Sequence, residues 1–276
     1  MEARELPLRS SDGHVSGLLA VVPASPTASL LWLPAMGVAA RHYLPFADAL
    51  AARGIAVFVH EWRGNGSSSL RAGRHGDWNY HPLLTIDLPC SEAAVAATLP
   101  DVPRILGGHS LGGQLACCRL GLEPDSASAL WLVASGSPYW RAFPAPMRYW
   151  LPMAYRFLPW LADRHGALPG KRIGFAGQEA RGVIHDWSRS AISGRYATTG
   201  LGIDLDRALA RAAPPVRAVS FDDDWLAPPG SLDFLLSKLS DAERRLFHLD
   251  SGALGVRADH FAWMKQPAAV VDALID

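Results

Sequence analysis

The chain has 276 residues, 49% of them hydrophobic, enough to bury a full core within one domain. Its 26 basic and 26 acidic residues cancel, which leaves no electrostatic case for nucleic acid or an anionic membrane as the main partner. No apolar run reaches the roughly 20 residues of a membrane span, and Met1–Ser10 lacks a signal-like apolar stretch, so a cytoplasmic location is expected.

Short apolar runs alternate with amphipathic stretches, the pattern of strands and helices around a largely parallel sheet. Val15 to Val22 reads as an early strand and Leu30 to Leu33 as a short buried one. Tyr43 to Arg53 reads as a helix stopped by Gly54. Ile55 to His60 is the next strand. Leu83 to Leu99 reads as a helix, with Ala and Leu recurring at helical spacing. Ile105 and Leu106 form a buried strand that runs into glycines, Gly112 to Leu122 a helix, and Leu130 to Ala134 a strand. From about Tyr139 to Gly202 the alternation breaks into a segment rich in Pro, Trp, Tyr and Arg. After it, Val216 to Phe221 and Arg245 to Leu249 read as strands, Leu232 to Leu239 and Phe261 to Ile275 as helices. This predicts one α/β domain, residues 1–137 and 204–276, carrying an insertion after its sixth strand, residues 138–203.

The most informative stretch is Gly107-Gly108-His109-Ser110-Leu111-Gly112-Gly113. It contains G-x-S-x-G between an apolar strand and a helix, the context of a nucleophile elbow. A serine on so sharp a turn brings the residues two positions either side into close approach, and glycine at both relieves the clash. The turn lifts the Ser110 hydroxyl above the sheet and aims the Leu111 amide and the helix N-terminus at the same point.

In folds built around such an elbow the acid and then the base follow the nucleophile along the chain. The predicted strand ending at Phe221 runs into Asp222-Asp223-Asp224. Asp224, four residues before Pro228, is the favoured acid, with Asp222 and Asp223 as rivals. Of ten histidines only His248 and His260 follow these acids. His248 lies within a strand pattern, whereas His260 lies in a loop before an apolar helix, where a base must sit. The other histidines show no metal-ligand spacing, so no metal is expected. No dinucleotide fingerprint is present, and Gly170-Lys171-Arg172 lacks the Ser or Thr of a phosphate loop, so no cofactor is expected. Three cysteines, Cys117 and Cys118 adjacent, make no disulfide framework. A second oxyanion donor is expected from Leu33-Pro34-Ala35-Met36-Gly37-Val38. Pro34 has no N–H, which leaves the amide of Met36 between two small residues.

Five stretches carry a family resemblance: Pro34-Ala35-Met36-Gly37-Val38 with Tyr43, Glu61-Trp62-Arg63-Gly64-Asn65-Gly66-Ser67-Ser68, Asp87-Leu88-Pro89, Gly108-His109-Ser110-Leu111-Gly112-Gly113-Gln114, and Asp259-His260-Phe261. With them the chain resembles the α/β-hydrolase superfamily over nearly its whole length. More narrowly, it resembles bacterial predicted α/β hydrolases related to monoglyceride lipases and serine aminopeptidases. The resemblance implies the α/β-hydrolase fold, a mostly parallel central sheet flanked by helices with a lid after the sixth strand. It also implies a Ser110, Asp224 and His260 triad with the Met36 and Leu111 amides as oxyanion hole. Two departures stand out: Pro34-Ala35 replaces a frequent His-Gly, and Glu61 replaces a frequent Asp. The serine at the elbow argues against the haloalkane dehalogenase and epoxide hydrolase branches, which use aspartate there.

The insertion opens with Tyr139, Trp140, Phe143, Tyr149, Trp150, Tyr155, Phe157 and Trp160, eight aromatics in 22 residues, interrupted by prolines. Short Pro-broken helices are expected, with Trp140, Trp150, Trp160 and Trp187 lining an apolar pocket or packing the lid onto the core. The expected function is hydrolysis of a small apolar carboxylic ester through an acyl-serine intermediate. Acyl transfer by the same triad, peptidase or thioesterase activity, and non-catalytic ligand binding are the alternatives.

Overall fold

Strands form where buried apolar runs meet helices that cover them, and the computed structural model describes them within residues 2–239 and 243–276. Met1 and residues 240–242, which fall within the expected core, lie outside the described residues. The strands are β1 (Arg4–Arg9), β2 (Val15–Val21), β3 (Ala28–Leu33), β4 (Ile55–Val59), β5 (Arg104–His109), β6 (Ala129–Val133), β7 (Val216–Phe221) and β8 (Arg244–Leu249). They make one eight-stranded sheet in the order β1-β2-β4-β3-β5-β6-β7-β8. β2 is antiparallel to β1 and β4, and every pairing from β4 to β8 is parallel. This is the α/β-hydrolase architecture.

The helices that cover the sheet are α1 (Leu44–Ala51), α2 (Leu88–Thr98), α3 (Leu111–Leu122), α6 (Pro229–Leu236) and α7 (Ala268–Ile275), while α4 (Met147–His165) and α5 (Arg181–Ser193) pack on each other between β6 and β7. Alternate residues of each central strand feed opposite cores. Leu31, Leu33 and Leu132 pack with Leu88, Val95 and Leu115 on one face. Leu30, Trp32 and Val133 pack with Phe46, Leu50 and Val270 on the other. β4 is buried along its whole length, as expected of a parallel strand covered on both sides.

The structure departs from the sequence pattern in several elements. β1 is a strand the sequence does not announce, because only Leu8 of Arg4–Arg9 is buried and an edge strand carries little apolar signal. The expected helix Phe261 to Ile275 is a 3₁₀ turn, Ala262–Lys265, followed by α7. Pro267 lies between them and lacks the N–H that a continuous helix needs. Leu83 to Leu99 likewise begins as a π-helical turn, Leu83–Asp87, before α2.

Residues 134–215, between β6 and β7, add no strand to the central sheet. They hold α4, α5 and a two-residue antiparallel bridge, Leu168–Pro169 with Gln178–Glu179. Against expectation, α4 runs unbroken for 19 residues with Pro152 and Pro159 inside it. Its outer stripe, Tyr149, Trp150, Met153, Phe157 and Trp160, faces solvent, each at 49% exposure or more. Its inner stripe packs on α5, where Tyr155 meets Trp187 edge-on at 5.1 Å. Among the described residues no helix is long and apolar enough to cross a membrane.

Candidate active site

The elbow between β5 and α3 shows the strain its sequence implies. Ser110 has φ 56° and ψ −119°, a left-side conformation that a residue with a Cβ adopts only when its surroundings impose it. A Cβ on Gly108 would lie 2.4 Å from the Gly112 carbonyl carbon, and one on Gly112 would lie 2.0 Å from the Leu33 oxygen. Both positions therefore require glycine. The Ser110 N–H donates to Val133 on the neighbouring strand at 3.3 Å, and its carbonyl accepts from Gln114 at 3.2 Å. Leu111 is the first residue of α3, so its N–H is one of the unpaired donors at the helix N-terminus.

Asp224 lies on the loop just beyond β7, where a strand end delivers it to the edge of the sheet. It is buried, and its carboxylate accepts from Nδ1 of His260 at 2.8 and 2.9 Å. The amides of Leu226 and Ala227 also donate to Asp224 Oδ1, each at 3.0 Å. The rival acids go elsewhere. Asp222 pairs with His248 Nε2 at 2.5 Å, while Ser220 Oγ meets the other nitrogen of that ring at 2.9 Å. Asp223 reaches Arg257 at 3.4 Å. Of these acids, Asp224 alone meets His260.

The loop between β3 and α1 is pinned from several sides. The Trp62 indole donates to the Pro34 carbonyl at 2.8 Å, the Ala35 N–H donates to the Tyr43 hydroxyl at 2.8 Å, and the Ala40 N–H donates to Glu61 at 3.2 Å. Burial pushes the Glu61 carboxyl up to about 7 against the pull of that Ala40 bond. Gly37 packs so closely on the segment between β6 and β7 that a Cβ there would lie 2.1 Å from the Gly177 nitrogen. Among the described residues nothing accepts the Met36 N–H. The departures from the family pattern at Pro34-Ala35 and Glu61 are thus absorbed by a loop that side chains hold in place.

The sequence pattern assigns no role to Tyr43 or His109, and the structure joins them. The Tyr43 hydroxyl accepts the Ala35 N–H, and burial pushes the phenol well above its ordinary range, so it keeps a proton to donate. That proton goes to His109 Nδ1, 2.9 Å away. Burial first, and then the nearby His260, hold the His109 imidazole well below the usual histidine range, so it stays neutral. Its ring lies 4.8 Å from the His260 ring.

These parts surround one cavity of about 540 Å³. Ser110, His260, Met36 and Leu111 all contribute to its walls, with Asp224 behind His260. Of the four tryptophans expected in the pocket only Trp187 lines it. Trp150 and Trp160 project into solvent at 68% and 59% exposure, and Trp140 is half-buried away from the cavity. The inward side of α4 instead presents Leu151, Ala154, Tyr155 and Leu158. Sequence reading also missed Trp225 and Phe261 at this site and the inward position of Gln114. The one available signal was the four-residue spacing from Ser110 to Gln114 on a helix.

The family described as serine aminopeptidase, S33, matches residues 24–189, more than half of the chain. No curated protein matches the sequence significantly. Among solved structures, a lipase in its open form is similar at TM-score 0.66 and 17% identity, over 99% of this chain and 97% of that one. A carboxylesterase structure from the ammonia-oxidizing thaumarchaeon Nitrososphaera gargenis gives TM-score 0.64 and 15% identity, over 98% and 96%. A hydrolase from Pseudomonas aeruginosa gives 0.59 and 19%, over 99% and 97%. At such identities the structures establish the shared fold, and the family match adds the lineage. The chain belongs to the serine aminopeptidase S33 family of α/β hydrolases.

Proposed function

We propose that the protein hydrolyses carboxylic esters of small apolar molecules through an acyl-serine intermediate, with residues 138–203 acting as a lid over a core of residues 1–137 and 204–276. The observation that carries this reading is the Asp224–His260 hydrogen bond at the edge of an apolar cavity that Ser110 also lines. Asp224 holds His260 with its proton on Nδ1, which leaves Nε2 free to take the proton of Ser110 Oγ. Oγ then attacks the ester carbonyl carbon, and the carbonyl oxygen becomes an oxyanion accepting from the Met36 and Leu111 N–H groups. Collapse breaks the ester C–O bond, and His260 protonates the departing alcohol. Water, deprotonated by His260, attacks the acyl-serine, and the acid leaves as Ser110 regains its proton.

The substrate class follows from the walls. Among the described residues no aspartate or glutamate lines the cavity, so the ammonium group of an aminopeptidase substrate finds no counter-ion among them there. Phe143, Leu158, Phe175 and Trp187 suit an acyl chain instead. This favours esters over peptides, although the family takes its name from a peptidase.

The test pairs a fluorophosphonate probe with 4-nitrophenyl butyrate and alanine 4-nitroanilide. The wild type is expected to be labelled and to cleave the ester, and Ser110→Ala to lose both properties. Labelling that persists in Ser110→Ala, or faster turnover of the anilide, rejects the proposal. Adding an acceptor alcohol and analysing products separates hydrolysis from acyl transfer.

A further inference from the structure

One polar side chain stands in the apolar wall beside Ser110. Gln114 lies one turn along α3, with its backbone N–H on the Ser110 carbonyl. Residues four apart on a helix share a face and are separated by about 6 Å along the axis. Gln114 accordingly lines the same cavity as Ser110, and it is 96% buried, with 4% of its surface exposed.

Its orientation is set from behind. The Tyr196 hydroxyl donates to Gln114 Oε1 at 3.3 Å. Tyr196 is buried, and that burial pushes its phenol well above its ordinary range, so it remains a donor. The amide oxygen is thus turned toward Tyr196, which leaves the NH₂ group for the cavity. Among the described residues no hydrogen bond to Gln114 Nε2 is seen, and the residue opens onto the cavity. Once an apolar substrate fills that cavity the donor is cut off from solvent, which is costly unless the substrate accepts from it.

We propose that Gln114 Nε2 forms a polar subsite for the acyl group, and that the preferred substrates are esters whose acyl chain carries an oxygen at the third carbon, as a hydroxyl or a ketone. This rests on the ester-hydrolase reading above. Ser110 Oγ bonds to the carbonyl carbon, and a donor one helical turn away addresses an atom a few bonds further along the chain. Either oxygen can accept from the amide, whereas a methylene there leaves the amide unpaired.

The experiment compares ethyl butyrate, ethyl 3-hydroxybutyrate and ethyl 3-oxobutyrate in a pH-stat. The readout is the ratio of kcat/KM for each oxygenated ester to that for ethyl butyrate, divided by the same ratio for alkaline hydrolysis. This removes differences in intrinsic reactivity. The corrected ratio is expected to be about tenfold in favour of oxygen in the wild type, the scale of one buried hydrogen bond. It should fall to near one in Gln114→Met, which keeps the length of the side chain without its donor. Fluorophosphonate labelling and a thermal melt verify that the variant is folded. If Gln114→Met is not folded, Tyr196→Phe takes its place. That variant frees the amide to rotate and should lower the ratio in the same direction. A corrected ratio near one in the wild type, or an unchanged ratio in the folded variant, overturns the proposal. Should all three esters resist hydrolysis and Ser110 stay unlabelled, the ester-hydrolase reading fails and this inference falls with it. Hydrolysis of ethyl butyrate with no oxygen preference removes the inference alone.

Discussion

The Tyr43 hydroxyl lies 2.9 Å from Nδ1 of His109, and through that bond the loop before α1 is tied to the residue preceding Ser110. One hydroxyl serves both neighbours, since it also takes the Ala35 N–H at 2.8 Å. Met36, the residue after Ala35, is the proposed oxyanion donor. Its amide is therefore positioned against the elbow by a side chain that lies outside the cavity wall.

Tyr43→Phe removes the oxygen and leaves the Ala35 N–H and His109 Nδ1 buried and unpaired. Each orphaned group costs about 1–3 kcal/mol. The melting temperature should drop, and kcat on 4-nitrophenyl butyrate should fall about tenfold or more, because an oxyanion donor acts mainly in the transition state. KM should change much less. A variant with unchanged kcat shows that the loop holds its place without Tyr43.

Asp224→Asn should lower kcat by about 10⁴, the scale found when the orienting acid of a comparable triad is neutralised. The reason is geometric. Leu226 and Ala227 both donate to Oδ1 of this side chain, so an asparagine keeps its oxygen there and turns its NH₂ toward His260. His260 Nδ1 must then accept, its proton moves to Nε2, and it can no longer take the proton of Ser110. Asp222→Asn and Asp223→Asn should stay within about threefold of wild type, since their partners are His248 and Arg257. An inactive Asp223→Asn would falsify the assignment of the acid.

What was legible in the sequence is what local sterics encode. Gly108 and Gly112 announce the elbow because the turn itself admits no side chain at those positions. The central parallel strands, β3 to β7, announce themselves because both their faces are buried. Asp224 could be preferred over its neighbours by its offset from Pro228, but its contact with His260 joins positions 36 apart. The Tyr43–His109 bond joins positions 66 apart and has no local signature. The aromatics of the insertion misled for a related reason. Their density marks an apolar helix, but which of its stripes faces inward depends on where α5 and the core lie. The inward stripe proved to be Leu151, Ala154, Tyr155 and Leu158.

Glu179 supplies a pH-dependent prediction. It lies on the short bridge of the insertion, buried, with its Oε1 unpartnered, and burial pushes its carboxyl up to about 7 against the Gly177 backbone bond. The folded state therefore binds this proton more tightly than the unfolded chain, whose carboxyl titrates near 4.5. The contribution of Glu179 to stability is fully present below about pH 4.5, falls as pH rises toward about 7, and is level above that. Glu179→Gln removes the ionisation. Its melting temperature should match wild type near pH 4.5 and exceed it at pH 8, by the equivalent of about 1–3 kcal/mol. A difference that does not grow with pH shows that Glu179 ionises freely in the folded protein. Glu61, held up in the same way, stays in both proteins and cancels.

The tryptophans of the insertion separate pocket from surface. Trp187 lines the cavity and is held there by Tyr155, edge-on at 5.1 Å, and by Phe175 at 5.5 Å. Trp187→Ala should enlarge the acyl pocket. Burial stabilises by about 0.8 kcal/mol per CH₂, close to fourfold in kcat/KM for each methylene that gains a place. The ratio of kcat/KM for 4-nitrophenyl octanoate over butyrate should therefore rise more than tenfold, provided the ring that leaves is the barrier to the longer chain. Trp150→Ala and Trp160→Ala should leave that ratio within about twofold of wild type, because both rings point away from the cavity. Measuring the three variants with the same pair of esters, alongside fluorophosphonate labelling of Ser110, distinguishes the cases. A shifted ratio in Trp150→Ala would mean that the outer stripe of α4 reaches substrate after all. An unshifted ratio in Trp187→Ala, with labelling intact, would mean that the chain runs along Leu151 and Leu158 instead.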